Sequence, residues 1–254
     1  TRPIIRRGSK FTGLNLSRIA EKHRVWIKKY SRCLDHVTAD LSAASDSFTW
    51  SLMCKLFPRD WLRAMNLGRV PMVKIGGRIY NTVSFMTMGV GFTFPAQTLA
   101  FRAILQAIKD LSKSKGRISS FGDDLIYPTV MHPMVVSVLQ DAGFILNKEK
   151  TFVEQPFRES CGADFYDGVD VRPFQPEGQN EVLSGLRLTA YIYKTYNGIQ
   201  LRWSKEELPR TFGYLKHLLV QLTQGRIHQV PSDYPDYSGI QTSTLIKDKY
   251  FLKP

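Results

Sequence analysis

SFGDDLIY, residues 120–127, sets Asp123 and Asp124 side by side in a tight turn between two short apolar runs. Gly and Asp tolerate the positive φ such turns need, so the stretch reads as a β-hairpin with an acidic tip. Upstream, DLSAASDS at residues 40–47 places Asp40 at the end of one apolar run and Asp46 where helical spacing begins. Taken singly, each segment is also what an ordinary helix cap or turn looks like. Their combination says more. If the fold brings Asp40 to the acidic pair, three carboxylates share one small volume and cannot all stay ionised without a cation. Oxygen-only ligands suit Mg²⁺, with Mn²⁺ as the alternative, and two such ions clamping the attacking and leaving oxygens is a phosphoryl-transfer arrangement.

Composition points the same way. The 254 residues are 43% hydrophobic, enough to bury a sizeable core, and the formal net charge is +13, which favours a polyanionic partner. Residues 1–30 hold nine Lys or Arg against Glu21 alone, so this segment, with Arg18 and Lys22 in it, reads either as a solvated face or as a wall that contacts RNA phosphates. The three cysteines, Cys33, Cys54 and Cys161, lack metal-ligand spacing and argue for a reducing compartment, with all three as small buried residues. The longest charge-free run, residues 79–101, is interrupted by Gly89, Gly91 and Pro95 and reads as protein interior rather than a membrane span. No signal peptide precedes it, and the chain opening on Thr1 reads as a piece of something longer.

Along the chain, residues 36–41 read as a short buried strand delivering Asp40, and 45–56 as a helix capped by Ser45 or Asp46. Residues 70–75 and 78–83 flank Gly76-Gly77, a strong hairpin signal. Gly89 and Gly91 lie in a loop before a helix running from about Thr93 to Leu111. Residues 117–121 and 125–127 form the arms of the acidic hairpin. A helix over 133–142, stopped by Gly143, precedes strands near 144–146, 151–153 and 157–161. Two helical stretches follow Glu181, and residues 231–235 read as irregular. The order predicts an α+β fold: antiparallel strands with helices packed on one face, and the Asp-bearing ends on adjacent strands.

DLSAASDS, MGVGFTF, SFGDD, NKEKTF at 147–152 and FRESCGADFYDGVDVRPF at 157–174 together resemble the RNA-directed RNA polymerases of levivirus-type positive-strand RNA bacteriophages. The motifs occur in the family's order across roughly residues 36–175. The resemblance implies a right-handed polymerase: a basic remnant of fingers in residues 1–35, a palm in 36–175 and a helical thumb-like lobe in 176–254. It implies synthesis of RNA from ribonucleoside triphosphates on an RNA template, in the cytoplasm of an infected bacterium, with host translation factors among the partners such enzymes recruit and no membrane.

Residue roles follow motif by motif. Asp40, Asp123 and Asp124 resemble the family's metal-binding and catalytic carboxylates. Lys150, with Lys148 as the runner-up, resembles the cation beside the leaving pyrophosphate. Asp46 falls near the ribose of the incoming nucleotide or caps its helix. Gly89 and Gly91 allow close backbone approach, and Thr93 contacts the sugar or caps. Arg158 is the expected phosphate contact in a hairpin that grips the 3′ end of the product, and Cys161 is expected in the core. Val90 stands where the family's glycine loop carries Asn, and Phe121 where a Tyr usually precedes Gly-Asp-Asp. Arg2, Arg6 and Arg7 are candidates for the triphosphate-binding basic strand. A reverse transcriptase and a non-catalytic RNA-binding piece are the rival readings.

Overall fold

A computed structural model describes residues 15–175 and 183–242, and the chain divides into two compact units after Arg172. Arg2, Arg6 and Arg7 lie outside the described residues. The first unit opens with α1 (Ile19–Cys33), a helix hidden in the basic segment. Ile19, His23, Ile27 and Tyr30 give it a buried stripe at helical spacing, while Lys22, Lys28 and Lys29 point to solvent. Leu34, in the left-handed region at φ 54°, ends it by donating to the Tyr30 carbonyl at 3.1 Å.

Then come β1 (His36–Ala39), β2 (Leu41–Ser42), α2 (Trp50–Leu56), α3 (Arg59–Asn66) and the hairpin β3 (Met72–Ile75) and β4 (Arg78–Asn81). The hairpin turns at Gly76 and Gly77, both at positive φ (55° and 83°), as their pairing predicts. The cap of α2 is Thr49, whose hydroxyl accepts from the Leu52 N–H at 3.3 Å, so neither Ser45 nor Asp46 caps it and the helix starts five residues later than expected. Next are α4 (Thr93–Leu111), β5 (Ser119–Phe121), β6 (Asp124–Pro128), α5 (His132–Asp141), β7 (Ile145–Leu146), β8 (Phe157–Ser160), β9 (Ala163–Tyr166) and β10 (Val169–Asp170). Residues 151–153 form no strand, although Phe152 makes a single antiparallel bridge to Thr38. Within residues 79–101, Ile79, Val83 and Met88 are 69%, 77% and 84% exposed while Phe85 and Met86 are buried in the main core, so the first half of that run is only partly interior.

The central sheet is antiparallel, in the order β1-β6-β5. All four residues of β1 and four of the five in β6 are buried, so this sheet needs cover on both faces. Val37, Ala39, Leu125 and Tyr127 join the main core with Phe101, Leu105 and Ile108 of α4. On the other side Ile126 packs with Ile27 and Tyr30 of α1 and Ala163 of β9. This corrects the expectation of helices on one face: the helix that the basic composition concealed covers the second. Phe48, Phe101 and Phe144 anchor the main core edge to face at 4.9–5.3 Å. Truncating any one to alanine costs about 3–5 kcal/mol.

The second unit holds α6 (Gly185–Gln200), α7 (Pro209–Leu222) and a parallel pair, β11 (Gln229–Pro231) and β12 (Ile240–Thr242). Tyr193 and Tyr196 pack with Phe212, Leu215 and Leu219. Buried Asn197 donates to the carbonyls of Asp236 and Gly239 and accepts from the Gln241 N–H, which ties β12 to α6. Of residues 231–235, expected to be irregular, only Pro231 is paired, at the end of β11.

Candidate active site

The register of β1 against β6 builds the site. Ala39 pairs with Leu125, so Asp40, the next residue along, emerges beside the Gly122-Asp123 turn that links β5 to β6. Gly122 takes φ 63°, and its N–H donates to the buried Thr98 hydroxyl at 2.8 Å, which anchors the acidic turn to α4. Two further hydrogen bonds bring a cation. The Asp40 carbonyl accepts from the Asn147 N–H at 2.9 Å, and the Thr38 carbonyl accepts from the Phe152 N–H at 2.9 Å. Residues 147–152 are thereby stitched along β1, with a short 3-10 turn over Lys148–Lys150 capped by the Asn147 side chain. The Lys150 Nζ then lies 3.7 Å from Asp40 Oδ2.

Asp40, Asp123, Asp124, Lys150, Glu159, Cys161 and Gly162 line one pocket of about 290 Å³. Burial raises the Asp123 carboxyl above its usual range, Asp40 adds to the rise, and Lys150 opposes it. Asp124 is pushed up to about 6, first by burial and then by Asp123 and Asp40, against the stabilising N–H of Cys161. Cys161, half-buried at the pocket wall rather than in the core, has its thiol pushed up to about 12 by burial and by Asp124, so it stays protonated and is no nucleophile. Beneath the pocket, His23 bridges Ser160 at 2.8 Å and Ser119 at 2.7 Å, joining α1 to the strands that carry both hairpins.

Four carboxylates on one polar pocket are a hard-cation donor set, so the residues fit Mg²⁺ or Mn²⁺ chemically. Among the described residues, however, no three His, Cys, Asp or Glu side chains are drawn close enough together to hold a metal by themselves. The ammonium of Lys150 stands among them instead.

The other expected positions fall elsewhere. Lys148 lines a separate, larger cavity of about 500 Å³, so position alone separates it from Lys150. Gly89 and Gly91 are exposed, and Gly89 has φ 85°. Thr93 is buried at the first turn of α4 and donates to the Thr87 carbonyl at 2.8 Å, closing the glycine loop. Asp46 is exposed in the turn before α2. Arg18 and Lys22 are exposed on α1. Arg158 is a correction. It is 0% exposed, and its guanidinium donates to the carbonyls of His36, Val153, Gln155 and Phe157, so in this fold it reaches no phosphate.

A family profile described as RNA replicase, beta-chain, matches residues 4–245. The chain belongs to the RNA replicase beta-chain family. It is 38% identical over 171 residues to the RNA-directed RNA polymerase beta chain of Escherichia phage MS2, covering 67% of this chain and 31% of that one. It is 33% identical over 209 residues to the RNA-directed RNA polymerase subunit beta of Escherichia virus Qbeta, covering 78% and 34%. The chain therefore spans about a third of the length of these relatives. A telomerase from Candida albicans aligns with 82% of this chain and 42% of its own at 14% identity and a TM-score of 0.46, a likeness too distant to decide an architecture.

Within this replicase-family chain, Glu159 is the site residue that motif reading passes over. The signal was present, since side chains alternate along a strand. With Arg158 and Ser160 buried on one side of β8, Glu159 and Cys161 face the other, toward the acidic turn. Charge alone favoured Arg158; alternation points to its neighbour.

Proposed function

We propose that this chain carries the catalytic palm of an RNA-directed RNA polymerase and adds ribonucleotides to a 3′-hydroxyl under the direction of an RNA template. The observation that carries the reading is the shared pocket of Asp40, Asp123, Asp124 and Lys150, assembled by the β1–β6 register. Asp40 and Asp123 are the divalent-ion ligands of this proposal, and the bound pair of ions would lower the pKa of the attacking hydroxyl and neutralise the pyrophosphate. Lys150 faces the leaving group and stabilises its charge or gives it a proton. Asp124 steadies the hairpin beside them, while Asp46 and the Gly89–Thr93 loop flank the nucleotide. The exposed basic residues of α1, Arg18 and Lys22 included, hold RNA phosphates. The two-helix second unit corresponds to the thumb-like lobe.

No helix among the described residues is long and apolar enough to cross a membrane. Work on RNA in the cytoplasm of an infected bacterium is proposed on family grounds. Host translation factors are proposed partners on family grounds alone. The exposed basic face of α1 favours a second reading in which the chain binds RNA without extending it.

Mg²⁺-dependent extension of a primed RNA template by this chain, lost in Asp123→Asn, is the expected result. Extension that survives Asp123→Asn defeats the catalytic assignment. Salt-sensitive RNA binding with no extension leaves the binding reading in its place. Preference for deoxyribonucleotides would favour a reverse transcriptase.

A further inference from the structure

We infer that Lys150 is an internal counter-ion that neutralises Asp40 while the site lacks a divalent ion and withdraws to Glu159 when one binds. The inference rests on the reading of Asp40 and Asp123 as metal ligands. It starts from the fact that the carboxylates lining the pocket do not converge on a common point. A pocket of four carboxylates needs compensation, and the ammonium supplies it. Its Nζ is 3.7 Å from Asp40 Oδ2, and its field also reaches Asp123 and Glu159.

The geometry suits an exchangeable partner. At 3.7 Å the pair is looser than a direct charge-assisted hydrogen bond, which closes to about 2.7–2.9 Å. The Lys150 side chain is 53% exposed on a flexible four-carbon stem, so it has room to move without unpacking the core. Glu159 offers a destination in the same pocket, within electrostatic reach of both Lys150 and Asp40. The nearby guanidinium of Arg172 is engaged with Asp164 at 3.5 Å, so Glu159 keeps capacity for a second cation. A carboxylate that faces a phosphate-handling pocket without a cation would repel its substrate, and this role removes that conflict. Lys150 thus competes with the metal for Asp40, while Glu159 relieves the competition.

Mn²⁺ binding to the whole chain, read from the paramagnetic resonance of free Mn²⁺ in the absence of RNA and nucleotide, tests this independently of turnover. Asp40→Asn should abolish the tight site. Lys150→Met should tighten it about twofold to fivefold, the scale of a partly exposed ion pair removed. Glu159→Gln should weaken it by a similar factor in the wild-type background and have no effect in the Lys150→Met background, because its influence runs through the lysine. An equal loss in both backgrounds would make Glu159 a direct ligand and overturn the inference, as would Lys150→Met binding no tighter than wild type while Asp40→Asn still abolishes the site. Tight Mn²⁺ binding indifferent to Asp40→Asn would instead overturn the site assignment itself.

Discussion

The backbone N–H of Cys161 donates to Oδ2 of Asp124 at 3.0 Å and so ties the turn of the β8–β9 hairpin to the base of the acidic hairpin. Cys161 reaches that position only in the left-handed region, at φ 51°, followed by Gly162 at 69°. For a non-glycine residue such backbone geometry costs about 1 kcal/mol or more, which the latch helps to offset. Asp124 therefore commits one carboxylate oxygen to architecture, whereas Asp123 sits at the turn facing Asp40.

The two aspartates should separate under mutation. Asp123→Asn removes a charged ligand and should lower extension by roughly 10³-fold, the scale of losing a preorganised electrostatic group. Asp124→Asn keeps an oxygen for the Cys161 N–H and should cost about 10-fold, as loss of a supporting hydrogen-bond partner does. Asp124→Ala, which breaks the latch, should be worse than Asp124→Asn and should also lower the melting temperature. Single-turnover extension and thermal denaturation of the three variants check the order.

Gly122 is held by space as well as by its backbone angle. A β-carbon there would lie 2.6 Å from Phe94 Cε2, and Phe94 packs edge to face on Phe121 at 4.7 Å. With φ at 63°, Gly122→Ala meets both strain and a clash, so we expect a loss of about 2 kcal/mol in a urea titration. Phe94→Ala in the same chain should return the steric part, making the double variant less unstable than the sum of the two single ones.

Arg158 and the basic face of α1 should give opposite signatures. Arg158→Met leaves four carbonyls without their buried donor and should cost about 3–5 kcal/mol of stability. Any folded fraction should bind RNA with an unchanged salt slope. Joint replacement of Arg18 and Lys22 by Ala should leave stability within about 0.5 kcal/mol and flatten the slope of log K against log salt by about 0.7 for each phosphate no longer neutralised. Fluorescence-monitored titrations of single-stranded RNA at several salt concentrations would reveal both. An unchanged slope in the α1 variant would remove that helix from the RNA-binding surface.

These contrasts also mark where sequence reading succeeds. Turn chemistry is local, so Gly76-Gly77 and Gly122-Asp123 were legible as hairpins, and α4 followed from an unbroken helical pattern after Pro95. The Asp40–Asp123 approach was legible through motif order, although only strand register makes it physical. What failed was the reading of charge before periodicity. In α1 the abundant Lys and Arg masked a buried stripe in which His23 serves as a core residue, and in β8 the conspicuous Arg158 was placed at the site although alternation turns Glu159 to the pocket and Arg158 to the interior. Pairing between strands only three residues long, such as β11 and β12, leaves little local trace, because tertiary packing decides it.

His23 yields the last expectation, on pH. Burial lowers its pKa to about 4, and the neutral ring matches one donating and one accepting hydroxyl from Ser119 and Ser160. The unfolded chain, with an ordinary pKa near 6.5, takes up a proton that the folded chain refuses. Stability from this group is therefore complete above about 6.5 and is lost as pH falls toward 4, by up to about 3 kcal/mol in all. Asp124 works in the opposite sense. Its folded pKa of about 6 lies above the unfolded 3.8, so the folded chain gains stability as pH falls across that interval and masks part of the loss. Urea midpoints of wild type and His23→Gln from about pH 7.5 to 4.5 separate the two, because Asp124 contributes to both proteins. The wild-type advantage should shrink steadily below about pH 6.5, and a difference that stayed constant with pH would mean that the ring is not held neutral.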